Sequence, residues 1–188
     1  VIYLIVEALK DSFVPFFILI LVGAIAAGLL ALRKHQQIRA KYLSEYDQMS
    51  GTLNRYTGLS RIQKVFKDSE NLREMSICFV DINGLKQVND QLGHDYGDEL
   101  IKTAAQAIKD SIRRGDFVIR MGGDEFLLVL PGVPAEQAEL IWFRIKEYMK
   151  RINQTEKRPY IVSASHGITV IKSIEQDQIE DHISKADS

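Results

Sequence analysis

The stretch FVIRMGGDEFLLVL, Phe117–Leu130, decides the fold. Two apolar runs, FVIRM and FLLVL, flank the turn-forming residues Gly122–Glu125, and that pattern predicts a β-hairpin. Upstream, SICFVDI (Ser76–Ile82) is a short apolar run that reads as a buried strand. Between the two, Tyr96 to Ile112 reads as a helix with Leu100, Ile101, Ala104, Ala105, Ile108 and Ile112 on one side. Downstream, Pro134 opens a long helix in which Ala138, Ile141, Trp142, Ile145, Met149 and Ile152 form a stripe, which assigns Trp142 to the core. Tyr160 to Ile171 reads as another strand, Ile174 onward as a last helix, and Asn54 to Ser69 as a helix ahead of them all. The resulting order contains βαββαβ, an α/β (α+β) sandwich with a central antiparallel sheet and helices on one of its faces.

The N-terminal quarter has a different character. From Phe13 to Leu32 the chain reads FVPFFILILVGAIAAGLLAL, twenty residues without a charge. At about 1.5 Å per residue such a helix spans roughly the 30 Å hydrocarbon core, so residues 12–32 are expected to cross a membrane. A signal peptide fits poorly, because the positive charges follow the apolar run and no small-residue cleavage pattern comes after it. Arg33, Lys34, Arg39 and Lys41 against Glu45 put the positive flank after Leu32, which places the rest of the chain in the cytoplasm. Pro15 is read as lying near the outer end of the span, where unpaired N–H groups make it tolerable. Gly23 with Ala27 and Ala24 with Gly28 are small-residue pairs that would let two helices approach, although such pairs are common in membrane spans. Residues 33–46 continue as a helical stalk, where Lys41 and Glu45 interrupt any heptad seam. Residues 1–11, VIYLIVEALKD, read as a strand and polar turn, an extracytoplasmic stub.

Whole-chain composition averages these unlike parts. With 24 Lys+Arg against 25 Asp+Glu the net charge is −1, which provides no global basic surface for nucleic acid. The single cysteine, Cys78, forms no internal bridge and excludes a disulfide scaffold.

Chemistry is expected where acid meets strand ends. Asp81 closes the first strand in VDINGLK, and Asp124 and Glu125 sit in the hairpin turn. Converging carboxylates are hard oxygen ligands suited to Mg²⁺, and Gly122 with Gly123 fit a tight turn that a ligand can approach closely. Each cluster also reads as an ordinary turn: Asp-x-Asn-Gly after a strand, Gly-Gly-Asp at a hairpin tip. His94 and His166 lack a second His or Cys at ligand spacing and read as structural.

Motif order resolves more. RMGGDEF at 120–126 resembles the signature of the GGDEF family, the diguanylate cyclases of bacteria. Asp47-Gln-Met-Ser-Gly51 with Asn54-Arg55 resembles that family's opening motif D-x-L-T-G-L-x-N-R, with Met49, Ser50 and Thr52 as departures. Asp81-Ile-Asn-Gly-Leu-Lys86, Asn89-Asp90, Gly93-His94, Gly97-Asp98, Ser165-His-Gly167 and Ala186-Asp187 follow in the family's order, with Asn83 where a second Asp is frequent. The resemblance covers 47–188, the proposed cytoplasmic domain. It implies a ferredoxin-like, nucleotidyl-cyclase palm core.

By resemblance, Asp81, the Ile82 carbonyl and Asp124 would hold Mg²⁺ (or Mn²⁺) against GTP phosphates, and Glu125 would be a further metal ligand or the base for the ribose 3′-OH, so that Asp124 and Glu125 are the catalytic carboxylates. Asn89 and Asp98 would recognise guanine, and Lys86, Gly122 and Gly123 would lie near the phosphates. Arg113-x-x-Asp116 would form an inhibitory site for the product, cyclic di-GMP. The implied enzyme joins two GTP across a homodimer, releasing two pyrophosphates, at the bacterial inner membrane with the lipid bilayer as a further partner. A degenerate receptor acting through Arg113 and Asp116, or a dimerising relay, is the alternative. The family continues past the position of Ser188 with a helix carrying a Lys and an Arg, so the sequence is expected to be cut at both ends.

Overall fold

The computed structural model describes residues 2–68 and 74–172. The expected last helix and the Ala186–Asp187 motif lie outside the described residues. The chain divides into two units, Val1–Ser44 and Glu45–Ser188.

The first unit is helical. Helix α1 (Ile2–Glu45) runs without a break, so residues 2–11 are helix and the expectation of a strand there is corrected. A short apolar run such as IYLIV is compatible with either state, and the apolar segment that follows decides it by extending one helix backwards. Pro15 consequently lies inside α1 rather than in its first turn, where its missing N–H removes one backbone bond. The segment Phe16–Glu45 is long and apolar enough to cross a membrane, and Phe17, Leu19, Leu21, Leu30 and Leu32 are exposed along it.

The second unit is built on one sheet. Its elements are β1 (Leu53–Asn54), α2 (Arg55–Asp68), β2 (Met75–Ile82), α3 (Leu85–Leu92), α4 (His94–Asp110), β3 (Phe117–Gly122), β4 (Glu125–Pro131), α5 (Ala135–Thr155) and β5 (Ala164–Ile171). Strand order is β1-β3-β4-β2-β5, antiparallel throughout except for the parallel pairing of β1 with β3. Strands β2 to β5 with the helices between them are the βαββαβ pattern, with one crossover made of two helices.

Side chains of a strand alternate between faces, and here both faces are buried. Cys78, Val80 and Ile82 of β2 with Phe126, Leu128 and Leu130 of β4 face one cluster, completed by Leu100, Ala104 and Ile108 of α4 and Trp142, Ile145 and Met149 of α5. Met75, Ile77 and Phe79 of β2 with Leu127 and Val129 of β4 face the other, against Ile62 of α2. Helices therefore cover both faces, where one was expected. The continuous apolar runs of β2 and β4 follow from this, since a strand buried on both sides has no polar face. Gly58 lets α2 approach β3 closely: a Cβ at that position would overlap the Ile119 side chain.

Candidate active site at the hairpin turn

Backbone conformation brings the acidic residues to one end of the sheet. The hairpin closes at the Gly122–Glu125 pair, leaving Gly123 and Asp124 as a two-residue turn, with a bulge at Met121. Gly123 has φ 50°, and among the described residues no non-glycine residue has positive φ, the sign pattern of a turn that needs glycine at its first central position. The Ile82 N–H donates to the Asp124 carbonyl at 3.1 Å, which ties the end of β2 to the turn.

Register does the rest. Asp81 is the cross-strand partner of Glu125 on β4 and of Ser165 on β5. Alternation places Asp81 with Ile77 and Phe79, and Glu125 with Leu127 and Val129, so both carboxylates leave the sheet on the α2 face. Directly opposed residues have Cβ atoms about 5 Å apart. Glu125 is exposed, and Asp81 and Asp124 are half-buried, so solutes can reach all three. Among the described residues no three His, Cys, Asp or Glu side chains form a ready metal cage. Two paired carboxylates nevertheless fit Mg²⁺, which takes one or two protein carboxylates and completes its shell with water and phosphate oxygens.

Beside this end runs the β2–α3 loop. Gly84 turns it at φ 78°, and α3 begins at Leu85 with Lys86 exposed in its first turn. Asn83 is tied across to the segment entering β5: its amide donates to Ser163 Oγ at 3.3 Å and its oxygen accepts from Ser165 Oγ at 2.8 Å. Helices α3 and α4 meet at Gly93 (φ 94°), whose N–H donates to the Asn89 carbonyl. The Asn89 amide packs on Gly97, where any Cβ would overlap its Oδ1. Asn89 and the neighbour of Gly97, Asp98, are thereby placed at the same helix junction, both half-buried.

Arg113 and Asp116 lie at the opposite end of β3 from the turn. The Asp116 carboxylate is buried (1% exposed) and accepts from Arg113 Nε at 3.1 Å and the Arg113 N–H at 3.2 Å, whereas the Arg113 side chain is 62% exposed. Arg113 Nη2 also donates to the Pro131 carbonyl at 2.8 Å.

A family profile described as the diguanylate cyclase GGDEF domain matches residues 44–188. The chain belongs to the GGDEF family. It is 33% identical over 159 residues to the probable diguanylate cyclase DgcJ of Escherichia coli, covering 82% of this chain and 30% of that protein. It is 28% identical over 161 residues to the cyclic di-GMP phosphodiesterase NbdA of Pseudomonas aeruginosa, covering 85% and 20%. Across the first curated relatives the chain spans only 18% to 37% of their length. In fold it resembles the coiled coil and GGDEF domain of DgcB from Caulobacter crescentus, crystallised with c-di-GMP, at TM-score 0.73 and 20% identity, covering 88% of each chain.

Within this GGDEF domain the structure brings Asp81, Ile82, Asp124 and Glu125 together, packs Asn89 on Gly97, the residue before Asp98, and keeps Arg113 with Asp116. Three features escaped the sequence reading. The helix expected from Tyr96 is preceded by a separate one, α3, which carries Lys86 and Asn89. Arg158 joins Glu99, Thr103 and Tyr160, linking α4 to the segment before β5. Arg120 reaches Asp47 at 3.0 Å, 73 residues away. Burial alone would raise the Asp47 carboxyl, but hydrogen bonds from the Ser50 N–H and hydroxyl, then Arg120, outweigh it and hold it below the ordinary carboxylate range. Burial, with Glu139 nearby, pushes the Cys78 thiol up to about 12, so it is no nucleophile. His166, read as structural, stacks on Trp142 with ring centroids 4.6 Å apart and pairs with Glu139 at 3.1 Å.

Proposed function

We propose that this chain is a diguanylate cyclase that condenses two GTP into cyclic di-GMP and two pyrophosphates. The observation that carries the reading is the cross-strand pairing of Asp81 with Glu125 beside the Asp124 turn. Asp81, the Ile82 carbonyl, Asp124 and Glu125 are the oxygen donors for Mg²⁺, or Mn²⁺ in its place. That ion, when bound, supplies charge neutralisation of the triphosphate and acidification of the ribose 3′-OH.

The residues of the chain do the remaining work. Asn89 and Asp98 hold the guanine edge, since an amide and a carboxylate supply the donor and acceptor pattern it requires. Lys86 and the backbone of Gly122 and Gly123 hold phosphate oxygens. Glu125 accepts the 3′-OH proton as the 3′-oxygen bonds to the α-phosphorus of the other GTP. The bond from that phosphorus to the bridging oxygen breaks, and pyrophosphate leaves. One chain presents one guanine site and one hairpin turn, so ring closure requires two copies with their turns facing each other as a homodimer.

The Arg33–Lys41 flank and the apolar length of α1 support an anchor in the bacterial inner membrane with the GGDEF domain in the cytoplasm. Arg113 and Asp116 would take the product at an inhibitory site. The Asp116 carboxylate is buried and held by Arg113, so a guanine arriving there meets the exposed Arg113 side chain first.

The test incubates the chain, in detergent or bilayers, with GTP and Mg²⁺. Product lost in Asp124→Ala supports the enzyme. A chain that makes none but binds cyclic di-GMP, with binding lost in Arg113→Ala, would be a receptor. Neither product nor binding would leave a relay.

A further inference from the structure

The hairpin turn is held from behind by a single side chain. Arg120 precedes the bulge at Met121 and faces Phe126 across the hairpin, so it leaves the sheet on the α4–α5 face, opposite to Asp81 and Glu125. Its side chain is only 11% exposed. Nε and Nη2 both donate to the Gly123 carbonyl, at 3.1 and 2.7 Å. Nη1 donates to Asp47 Oδ1 at 3.0 Å and lies 3.3 Å from Met49 Sδ. The turn that supplies Asp47 is itself closed: the carboxylate accepts from the Ser50 N–H at 2.8 Å and hydroxyl at 2.7 Å, and the Gly51 N–H donates to the Asp47 carbonyl at 2.9 Å. One guanidinium thus bridges two turns, and the carbonyl it grips belongs to the peptide unit whose N–H is that of Asp124.

We propose that Arg120 is a positioning residue for the reaction. It fixes the Gly123–Asp124 peptide so that the Asp124 and Glu125 carboxylates stay in reacting geometry, and Asp47 aims Arg120. Arg120 does not touch substrate, because it lies on the other side of the sheet from the carboxylates it serves. Two adjacent glycines make the turn the most easily deformed part of the hairpin, and a displacement near 1 Å at such a site costs on the order of 100-fold in rate. Lys cannot replace Arg120, since an ammonium has no planar fork to reach carbonyl and carboxylate together.

This inference rests on Asp124 and Glu125 being the working carboxylates, and the experiment separates the two claims. Arg120→Ala, Arg120→Lys, Asp47→Asn and the double variant Asp47→Asn/Arg120→Ala are compared with wild type as the whole chain in detergent. Three quantities are read: kcat and KM for GTP, amide hydrogen exchange of peptides covering 120–126, and the thermal midpoint. The expected result is a kcat lowered roughly 10- to 100-fold in Arg120→Ala with KM changed less than about threefold. Arg120→Lys recovers little of it, and the double variant is no slower than Arg120→Ala, since the two side chains act as one unit. Turn amides exchange faster in Arg120→Ala at temperatures where it remains folded. Unchanged kcat in folded Arg120→Ala, full rescue by Lys, or additive losses would overturn the proposal. If wild type makes no product, the functional reading fails, and exchange alone then decides: wild-type exchange of 120–126 in Arg120→Ala overturns positioning.

Discussion

Gly123 sits at φ 50°, where a Cβ is strained even though nothing lies within 4 Å of its place. Gly123→Ala is expected to destabilise the domain by about 1 to 2 kcal/mol in urea unfolding through backbone strain alone. Asp47 gives a prediction in pH. Its carboxyl lies lower in the folded chain than its unfolded value of about 3.9, so its contribution is fully present above that value. It is lost as pH falls through the folded pKa. The gap in thermal midpoint between wild type and Asp47→Asn should therefore be constant from pH 7 to 5 and narrow only as pH falls below about 4. Residue types at the site were legible in sequence: Asp81, Asp124 and Glu125 as hard oxygen donors, the glycines as turn formers. Their pairing was not, because it depends on register between strands 44 residues apart by number (125 − 81). The Arg120–Asp47 contact was invisible for the same reason, since no local pattern couples positions 73 apart.

Elements were read best where burial is greatest. The runs in β2 and β4, the hairpin between β3 and β4, and the stripes of α4 and α5 all correspond to buried clusters, and their periodicity is the imprint of that burial. Ile112 lies beyond the end of α4, and it is only partly buried, as are Ile141 and Ile152 of the α5 stripe. Strand β1 has two residues and offers no periodicity to read. The break between α3 and α4 rests on Gly93 in a conformation that other residues seldom adopt, and a glycine among polar residues signals many kinds of turn. Residues 2–11 are helix although their β-branched and aromatic content favours a strand, because the long apolar helix that follows extends through them. Element packing yields its own test at Gly58. Gly58→Ala drives a methyl into Ile119 and is expected to cost about 1 to 3 kcal/mol, whereas Gly115→Ala, in open space, should change stability little.

At the scale of the molecule, a near-neutral chain resolves into an apolar helix and an α/β domain with the carboxylates of Asp81, Asp124 and Glu125 at one end of its sheet. The length of α1 and the basic residues after Leu32 lead to the expectation that the chain stays in the membrane fraction through an alkaline carbonate wash. Release by that wash would contradict the anchor. The proposed reaction takes one half from each copy, with Asn89 and Asp98 assigned to guanine and the Asp124–Glu125 turn to the reacting phosphate. The stoichiometry of a GTP reaction tests this most directly, with pyrophosphate and nucleotide products quantified together in the presence of Mg²⁺. Two pyrophosphates are expected for each cyclic di-GMP formed. Pyrophosphate without cyclic di-GMP, or no turnover of GTP by the dimeric chain, would contradict the proposed reaction.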